Sequence, residues 1–298
     1  MSLPRHRHLI ATASDARCGD FLIEHWYPSL VENVILAGVD ILVLDYGLTP
    51  VQRAKVAGEG MILRDGRRKG HITNVRHFDL ADFLAEDDHD QVLLVDSGDL
   101  IFQSDISRLF EEDRRMVRAV CDERTFPLQE VLPILQDLRP QVRDTVARAV
   151  AGRPQINGGF LLAPAATFRK IATEFANLTA SLTTFATDQM VVNYLLRRDG
   201  FHELPSRYNF VLVAARSRFT IRDGRFHDAA GELIPVVHNA GYHQFFRRVA
   251  DFGYGPACNR CKWISPLAVR GLFAASGLLA ATLRPLQKLR TGGAACEG

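Results

Sequence analysis

At 298 residues, with 47% hydrophobic and 23% charged residues, the chain can bury a sizeable core, which excludes a disordered or fibrous polymer. The formal net charge of +2 gives no general argument for nucleic acid, although eight basic residues from Arg247 onward meet only Asp251 and Glu297, so positive charge gathers at the C-terminal end. Five scattered cysteines argue against a disulfide framework, and MSLPRHRHLIATAS lacks an apolar stretch of signal-peptide length, so the chain is expected in the cytoplasm.

In chain order, a first strand over His8–Ala13 ends in Thr12-Ala13-Ser14-Asp15 and leads into a helix over Asp20–Leu36, an arrangement suited to a nucleotide. A second apolar run, Val39–Leu44, ends at Asp45-Tyr46-Gly47, and Thr49-Pro50 marks the next helix start with proline in its first turn. Gly60–Leu63 reads as a short third strand and His77–Asp87 as a helix turning Phe78, Leu80, Phe83 and Leu84 inward. This alternation predicts right-handed βαβ units and a parallel sheet with its loops along one edge, where Thr12, Asp15 and Asp45 become neighbours. Neither GxGxxG nor a P-loop is present, so diphosphate charge must be met by metal and basic side chains.

The fourth strand carries the chemistry. In QVLLVDSGDLIFQSDI the unbroken run Val92–Val95 reads as a strand buried on both faces, delivering Asp96 and Asp99 onto a polar loop. Strand alternation would point the two acids apart, so the chain must turn at Ser97-Gly98. A β-turn brings its first and fourth Cα within about 7 Å, with Gly98 where type II geometry needs positive φ. Two readings stand for this tetrapeptide: the acids hold a divalent cation, or Asp96 opens a turn and Asp99 caps the next element.

Met116–Val120 is a further strand, and Leu128–Val150 a helical pattern that Pro133 and Pro140 divide into shorter helices of an insertion. Ile156–Leu162 is a strand whose Gly158-Gly159 allows either close approach to a ligand or a β-bulge. Ala165–Leu182 is an amphipathic helix, and Thr187-Asp188-Gln189 opens another that runs to Gly200, with Asp188 readable as its N-cap. Phe219–Phe226 reads as a hairpin about Asp223-Gly224, and the strand from Ile234 ends in His238, a candidate metal ligand, before Gly241. Cys258 and Cys261 supply two of the four ligands of a structural zinc site, which His243 would extend; surface thiols are the simpler reading.

The ordered set VDSGD, INGGF, TDQMVVNYLL, LPSRYN and VVHNAG resembles the GT-A glycosyltransferases, most closely the glycogenin and bacterial lipopolysaccharide galactosyltransferase type, family 8-like. The resemblance implies a GT-A, Rossmann-like α/β fold with a mixed, mainly parallel sheet flanked by helices. It implies a transferase domain over residues 1–250, with residues 251–298 as a basic, partly apolar helical tail. It puts Asp96, Asp99 and His238 on a divalent ion, with Asp99 one residue beyond the family's D-x-D spacing. Mn²⁺ or Mg²⁺ suits these ligands and the diphosphate of a nucleotide-sugar donor, a UDP-sugar. Thr12, Ala13 and Asp15 would surround base and ribose, with Asp45 and Tyr46 as further base contacts. Asn157 and Gly158 would face the sugar, Asp188 and Gln189 would be the catalytic pair beside donor and acceptor, and Gly241 would lie near the diphosphate. The family's late lysine is missing, which leaves its place to Arg247 or Arg248.

The resemblance further implies transfer with retention of anomeric configuration to a glycan, lipid-linked or protein acceptor. A Mg²⁺-dependent phosphoryl-transfer or phosphatase domain and a non-catalytic binding protein of the same fold are the alternatives. In the tail, the uncharged run Gly271–Leu283 is too short to cross a bilayer core of about 30 Å. A helix packed on the body and a helix lying in a membrane surface, held by its basic flanks, both remain open for it.

Overall fold

β1 (His8–Ser14) runs into α1 (Gly19–Phe21), a π-turn over Leu22–Trp26 and α2 (Tyr27–Asn33). The π-turn has a local cause: Tyr27 N–H donates to the Leu22 carbonyl five residues back, just before Pro28, which has no N–H to give. The computed structural model describes residues 7–125, 127–215, 217–240 and 247–262, so Gly241, His243 and the run Gly271–Leu283 lie outside the described residues. The chain divides into two compact units, Met1–Cys261 and Lys262–Gly298, and every element below belongs to the first.

β2 (Val39–Asp45) leads to α3 (Pro50–Gly58), which Thr49 and Gln52 cap reciprocally, and then to β3 (Ile62–Asp65). α4 (Ile72–Glu86) precedes β4 (Gln91–Val95), whose five residues are all buried, as its unbroken apolar run requires. β5 (Leu100–Phe102), β6 (Arg118–Thr125), α5 (Leu128–Val131) and α6 (Pro140–Val150) come next. The two prolines divide the expected helical pattern, with Pro140 in the first turn of α6. β7 (Pro154–Pro164), α7 (Ala165–Leu178), α8 (Thr187–Asp199) and β8 (His202–Glu203) complete the main sheet and its cover.

The main sheet has the order β3–β2–β1–β4–β7–β6–β8. β3, β2, β1 and β4 are parallel, β7 is antiparallel to both its neighbours, and β6 and β8 are parallel. Alternate residues serve opposite faces. Ile10, Val43, Leu93 and Val95 pack with Trp26 and Leu30, whereas Leu9, Ala11, Leu42 and Leu94 pack with Leu80, Phe83 and Phe168. At roughly 1.5–3 kcal/mol for each fully buried aliphatic side chain, these two layers fix the register that brings the strand ends level.

β9 (Phe210–Val211), the hairpin β10 (Thr220–Arg222) and β11 (Arg225–His227), and β12 (Val236–His238) build a second layer. Asp223 and Gly224 both have positive φ, the turn that an Asp-Gly pair favours. β12 lies between β5 and β9 in a small sheet and sets His238 opposite Leu100. The chain then pairs β13 (Val249–Ala250) with β14 (Arg260–Cys261). Among the described residues no helix is long and apolar enough to cross a membrane.

Several boundaries shift by two to five residues, among them β6, which spans Arg118–Thr125 rather than Met116–Val120, and two helix ends have a visible cause. α4 begins at Ile72 rather than His77, because its first turns bury the polar Asn74, Arg76 and His77 and so hide the apolar period. α7 stops at Leu178 rather than Leu182, where Ala180 and Ser181 N–H turn away to the Asp137 carbonyl.

Candidate functional site

The bend after β4 is anchored at both ends. Asp96 N–H donates to the Gly159 carbonyl on β7, and the Asp99 carbonyl accepts from Asn239 N–H after β12. Ser97 Oγ reaches the Ala13 carbonyl at 3.2 Å. The expected type II turn is not what forms, because Gly98 is not among the glycines with positive φ. Gly98 packs closely: a Cβ there would stand 2.7 Å from Cys18 Sγ and would have to displace the thiol.

This bend brings the two acids to β12. One ligand atom from each of Asp96, Asp99 and His238 falls within 4.8 Å of the others. His238 Nε2 is 3.1 Å from Asp99 Oδ1 and 3.6 Å from Asp96 Oδ2, and the ring is 1% exposed. Gly159 forms the floor: a Cβ there would lie 2.5 Å from His238 Cε1 and 2.7 Å from Asp96 Oδ2. Of the two readings for the paired glycines, the bulge is present: the β6–β7 register shifts between Ala119, opposite Leu161, and Cys121, opposite Ile156, so β7 is irregular across Gly158-Gly159 and carries the backbone of Gly159 against His238 and Asp96.

A hydrogen-bond chain fixes the imidazole. Gly159 N–H can only donate, so the Asn157 atom it meets at 2.9 Å is the oxygen Oδ1. Asn209 therefore turns its amide nitrogen to that oxygen at 3.1 Å, and its own Oδ1 faces His238 Nδ1 at 3.0 Å. His238 must carry its proton on Nδ1. The neutral ring then presents a lone pair at Nε2 to two carboxylate oxygens, the orientation that a metal-binding histidine takes from its outer partner. Three acceptors facing one another repel unless a proton or a cation stands among them. Consistently, burial opposes charge on His238, but Asp99 outweighs it and raises the imidazole pKa. Burial likewise opposes ionisation of Asp99, and His238 and Arg247 outweigh it to hold the carboxyl below its usual range. Two hard oxygens, an imidazole nitrogen and a glycine floor fit a divalent cation such as Mn²⁺ or Mg²⁺.

Arg76, which no sequence motif marked, stands behind the acids at 4% exposure. Its guanidinium pairs with Asp96, donates to the Gly158 carbonyl at 3.1 Å and lies 3.5 Å from Asp188 Oδ2. Asp188, also 4% exposed, is not an N-cap; α8 is preceded by Ala186 in left-handed backbone, with no side-chain cap. Asn74 holds this loop, accepting from Asp188 N–H at 2.9 Å and donating to the Leu182 and Thr184 carbonyls. Burial opposes ionisation of Asp188, yet His77 and Arg76 outweigh it and hold the carboxyl below its usual range. His77 Nε2 is 4.0 Å away, beyond hydrogen-bond reach, and burial lowers its own pKa, so the fixed charge of Arg76 holds the Asp188 carboxylate ionised. Gln189 Oε1 accepts from Gly158 N–H at 3.1 Å. Asn157, Gly158, Asp188 and Gln189 thus adjoin the Asp96–Asp99–His238 cluster.

The expected base contacts lie differently. Asp15, Asp45 and Tyr46 line a cavity of about 690 Å³, which shares Asp15, Arg17 and His71 with a 360 Å³ cavity reaching Asp96, Asp99 and His238. Ala13 lines the smaller one. Thr12 does not line either: it is fully buried, with its hydroxyl unpaired among the described residues, because it shares the inner face of β1 with Ile10. The carboxylates of Asp15 and Asp45 already close their own turns, on Arg17 and Cys18 N–H and on Gly47 and Leu48 N–H, and Arg53 pairs with Asp45. Tyr46 donates its hydroxyl to Asp79 at 2.6 Å and lays its ring where a Gly66 Cβ would be. These residues shape the cavity with their polar atoms committed inward. A separate cavity of 630 Å³ beside Phe78 and Ala172 holds none of the expected residues, so chemistry and not volume identifies the site.

Of the two late arginines, Arg247 donates to Asp99 Oδ2 at 2.9 Å, whereas Arg248 stacks over Phe219 at 4.9 Å. Cys258 and Cys261 are free thiols, and among the described residues no histidine joins them in a metal-sized group.

No protein-family model and no curated protein matches the chain in sequence. Solved structures do match. The galactosyltransferase LgtC, in complex with donor and acceptor sugar analogues, shares 20% identity at a TM-score of 0.50, over 79% of this chain and 90% of that one. An active-site mutant of LgtC gives 21% identity, TM-score 0.50 and the same coverage of 79% and 90%. The apo structure of the bifunctional glycosyltransferase WbbM gives 13% identity and a TM-score of 0.54 over 82% of this chain, which spans 47% of that larger protein. The seven-stranded, mainly parallel sheet with its flanking helices is therefore the GT-A-like fold of these glycosyltransferases.

Proposed function

We propose that the chain is a metal-dependent glycosyltransferase that takes a sugar from a nucleoside-diphosphate donor, a UDP-sugar, and passes it to a glycan, lipid-linked or protein acceptor. The observation that carries this reading is the convergence of Asp96, Asp99 and His238, three acceptors within 4.8 Å with the imidazole proton held on the far side. The likeness to LgtC, solved with donor and acceptor sugar analogues, supports the substrate class at the level of fold.

On this reading Asp96, Asp99 and His238 hold Mn²⁺ or Mg²⁺, which when bound neutralises charge on the leaving diphosphate. Arg76 keeps Asp96 and Asp188 ionised and in place. The donor sugar lies over Asn157 and Gly158, beside Asp188 and Gln189. The bond from its anomeric carbon to the diphosphate breaks with the electron pair leaving on phosphate, and the acceptor hydroxyl adds on the same face, giving its proton to the departing phosphate oxygen. Asp188, ionised and shielded from water, stabilises the positive charge at that carbon. Ala13, Asp15, Asp45 and Tyr46 shape the base and ribose cavity.

The test is release of nucleoside diphosphate from a panel of UDP- and GDP-sugars with Mn²⁺, in the wild type and in Asp188→Asn. Turnover of one donor, lost in the variant, is expected. Phosphate release from a simple phosphomonoester, with no donor turned over, would favour the phosphatase alternative instead.

A further inference from the structure

Each carboxylate of the cluster divides its two oxygens. Asp96 turns Oδ2 to His238 and its other oxygen to Arg76; Asp99 turns Oδ1 to His238 and Oδ2 to Arg247. Two guanidinium charges thus stand among Asp96, Asp99 and Asp188, and much of the acids' attraction for a divalent cation entering alone is already offset. The two arginines differ in burial. Arg76 is 4% exposed and pinned by the Gly158 carbonyl and by Asp188, whereas the Arg247 side chain is 26% exposed and its pairing with Asp99 can be exchanged for another anion. Arg248 does not compete for that role, because it donates to the Leu212 and Ala215 carbonyls.

We propose that Arg247 and the divalent cation alternate at Asp99: without ligand Arg247 holds the carboxylate and keeps cation affinity low, and a diphosphate draws Arg247 away as the cation enters, so the two ligands bind together. This rests on the reading of the cluster as a cation–diphosphate centre. The cost of bringing a dication beside a guanidinium is removed when that guanidinium turns to phosphate, and phosphate oxygens complete a coordination shell that the three protein atoms leave open. The consequence is thermodynamic coupling, equal in both directions. Free metal does not load the chain at low concentration, and nucleotide without metal finds Arg247 engaged.

The full-length protein tests this by the paramagnetic resonance signal of free Mn²⁺, titrated with wild type, Arg247→Gln and Arg247→Lys, each with and without UDP. The wild type is expected to bind Mn²⁺ alone weakly and at least about tenfold more tightly with UDP, within the span of outer-partner effects on metal affinity. Arg247→Gln should bind Mn²⁺ alone about tenfold more tightly than wild type, with the gain from UDP reduced to the part that phosphate oxygens supply directly. Arg247→Lys, which keeps the charge, should keep the coupling and checks that the segment still folds. Equal or weaker binding of Mn²⁺ alone by Arg247→Gln, or coupling undiminished in it, overturns the role of Arg247 while leaving the metal site standing. Failure of every protein to bind Mn²⁺, with or without UDP, overturns the metal site itself and this inference with it.

Discussion

Gly159 lies directly beneath His238, so close that a Cβ on residue 159 would stand 2.5 Å from the ring carbon Cε1. The backbone of β7 is thus one wall of the candidate cation site. Gly159→Ala must displace His238, Asp96 or the strand, at a cost of about 1–3 kcal/mol for an overpacked site. The expected outcome is a lowered unfolding midpoint together with lost Mn²⁺ binding, read by denaturant titration and calorimetry. Full Mn²⁺ affinity in a folded Gly159→Ala protein would show that the wall is elsewhere.

Arg76 is the buried charge on which the acids depend. Replacing it with Ala leaves Asp96 and Asp188 without their shared partner, and breaking a buried ion pair from one side costs about 3–5 kcal/mol. Urea unfolding should show a loss in that range, whereas Arg17→Ala, whose partner is the rim residue Asp15, should lose no more than about 1 kcal/mol.

Asn209 acts on the site only through His238. Asn209→Ala removes the acceptor that holds the ring proton on Nδ1, and losing such an outer partner typically lowers metal affinity about 10–100-fold. Asn209→Asp keeps an acceptor in place and should recover most of that loss. Mn²⁺ affinities of the two variants that do not differ would remove the orienting role.

Asp188 gives a pH signature. Its folded-state carboxyl is held below the ordinary 3.8, so its contribution to stability is complete above that value and disappears as pH falls through the folded pKa. Asp188→Asn lacks this dependence. The gap between wild-type and variant melting temperatures should be widest near neutrality and close as pH falls below 3.8 through the folded pKa. A gap that stays constant over that range would mean that the Asp188 charge is not stabilised by Arg76.

The fold was legible because its signals are local. The unbroken Val92–Val95 run, the Thr49-Pro50 helix start and the Asp223-Gly224 hairpin each form what their residues dictate. The bend at Ser97-Gly98 was legible in bringing the two acids together but not in its form, since Gly98 lacks the positive φ of the expected type II turn and packs against Cys18, far away in sequence. Arg76, Asn74 and Asn209 were not legible as site residues, because polar residues buried by long-range contacts leave no periodic trace. Asp15, Asp45 and Tyr46 were found at the cavity, but only coordinates reveal that their polar atoms are already committed.

The most direct measurement is calorimetric titration of UDP into the wild type and into Asp99→Asn, each with and without Mn²⁺. Asp99 is the acid whose position depends on the bend, and it meets both His238 and Arg247. Saturable binding of UDP by the wild type only with Mn²⁺, and its loss by a hundredfold or roughly so in Asp99→Asn, is the predicted result. UDP binding that ignores Mn²⁺, or that survives unchanged in Asp99→Asn, would contradict the assignment of this cluster as the cation-dependent donor site.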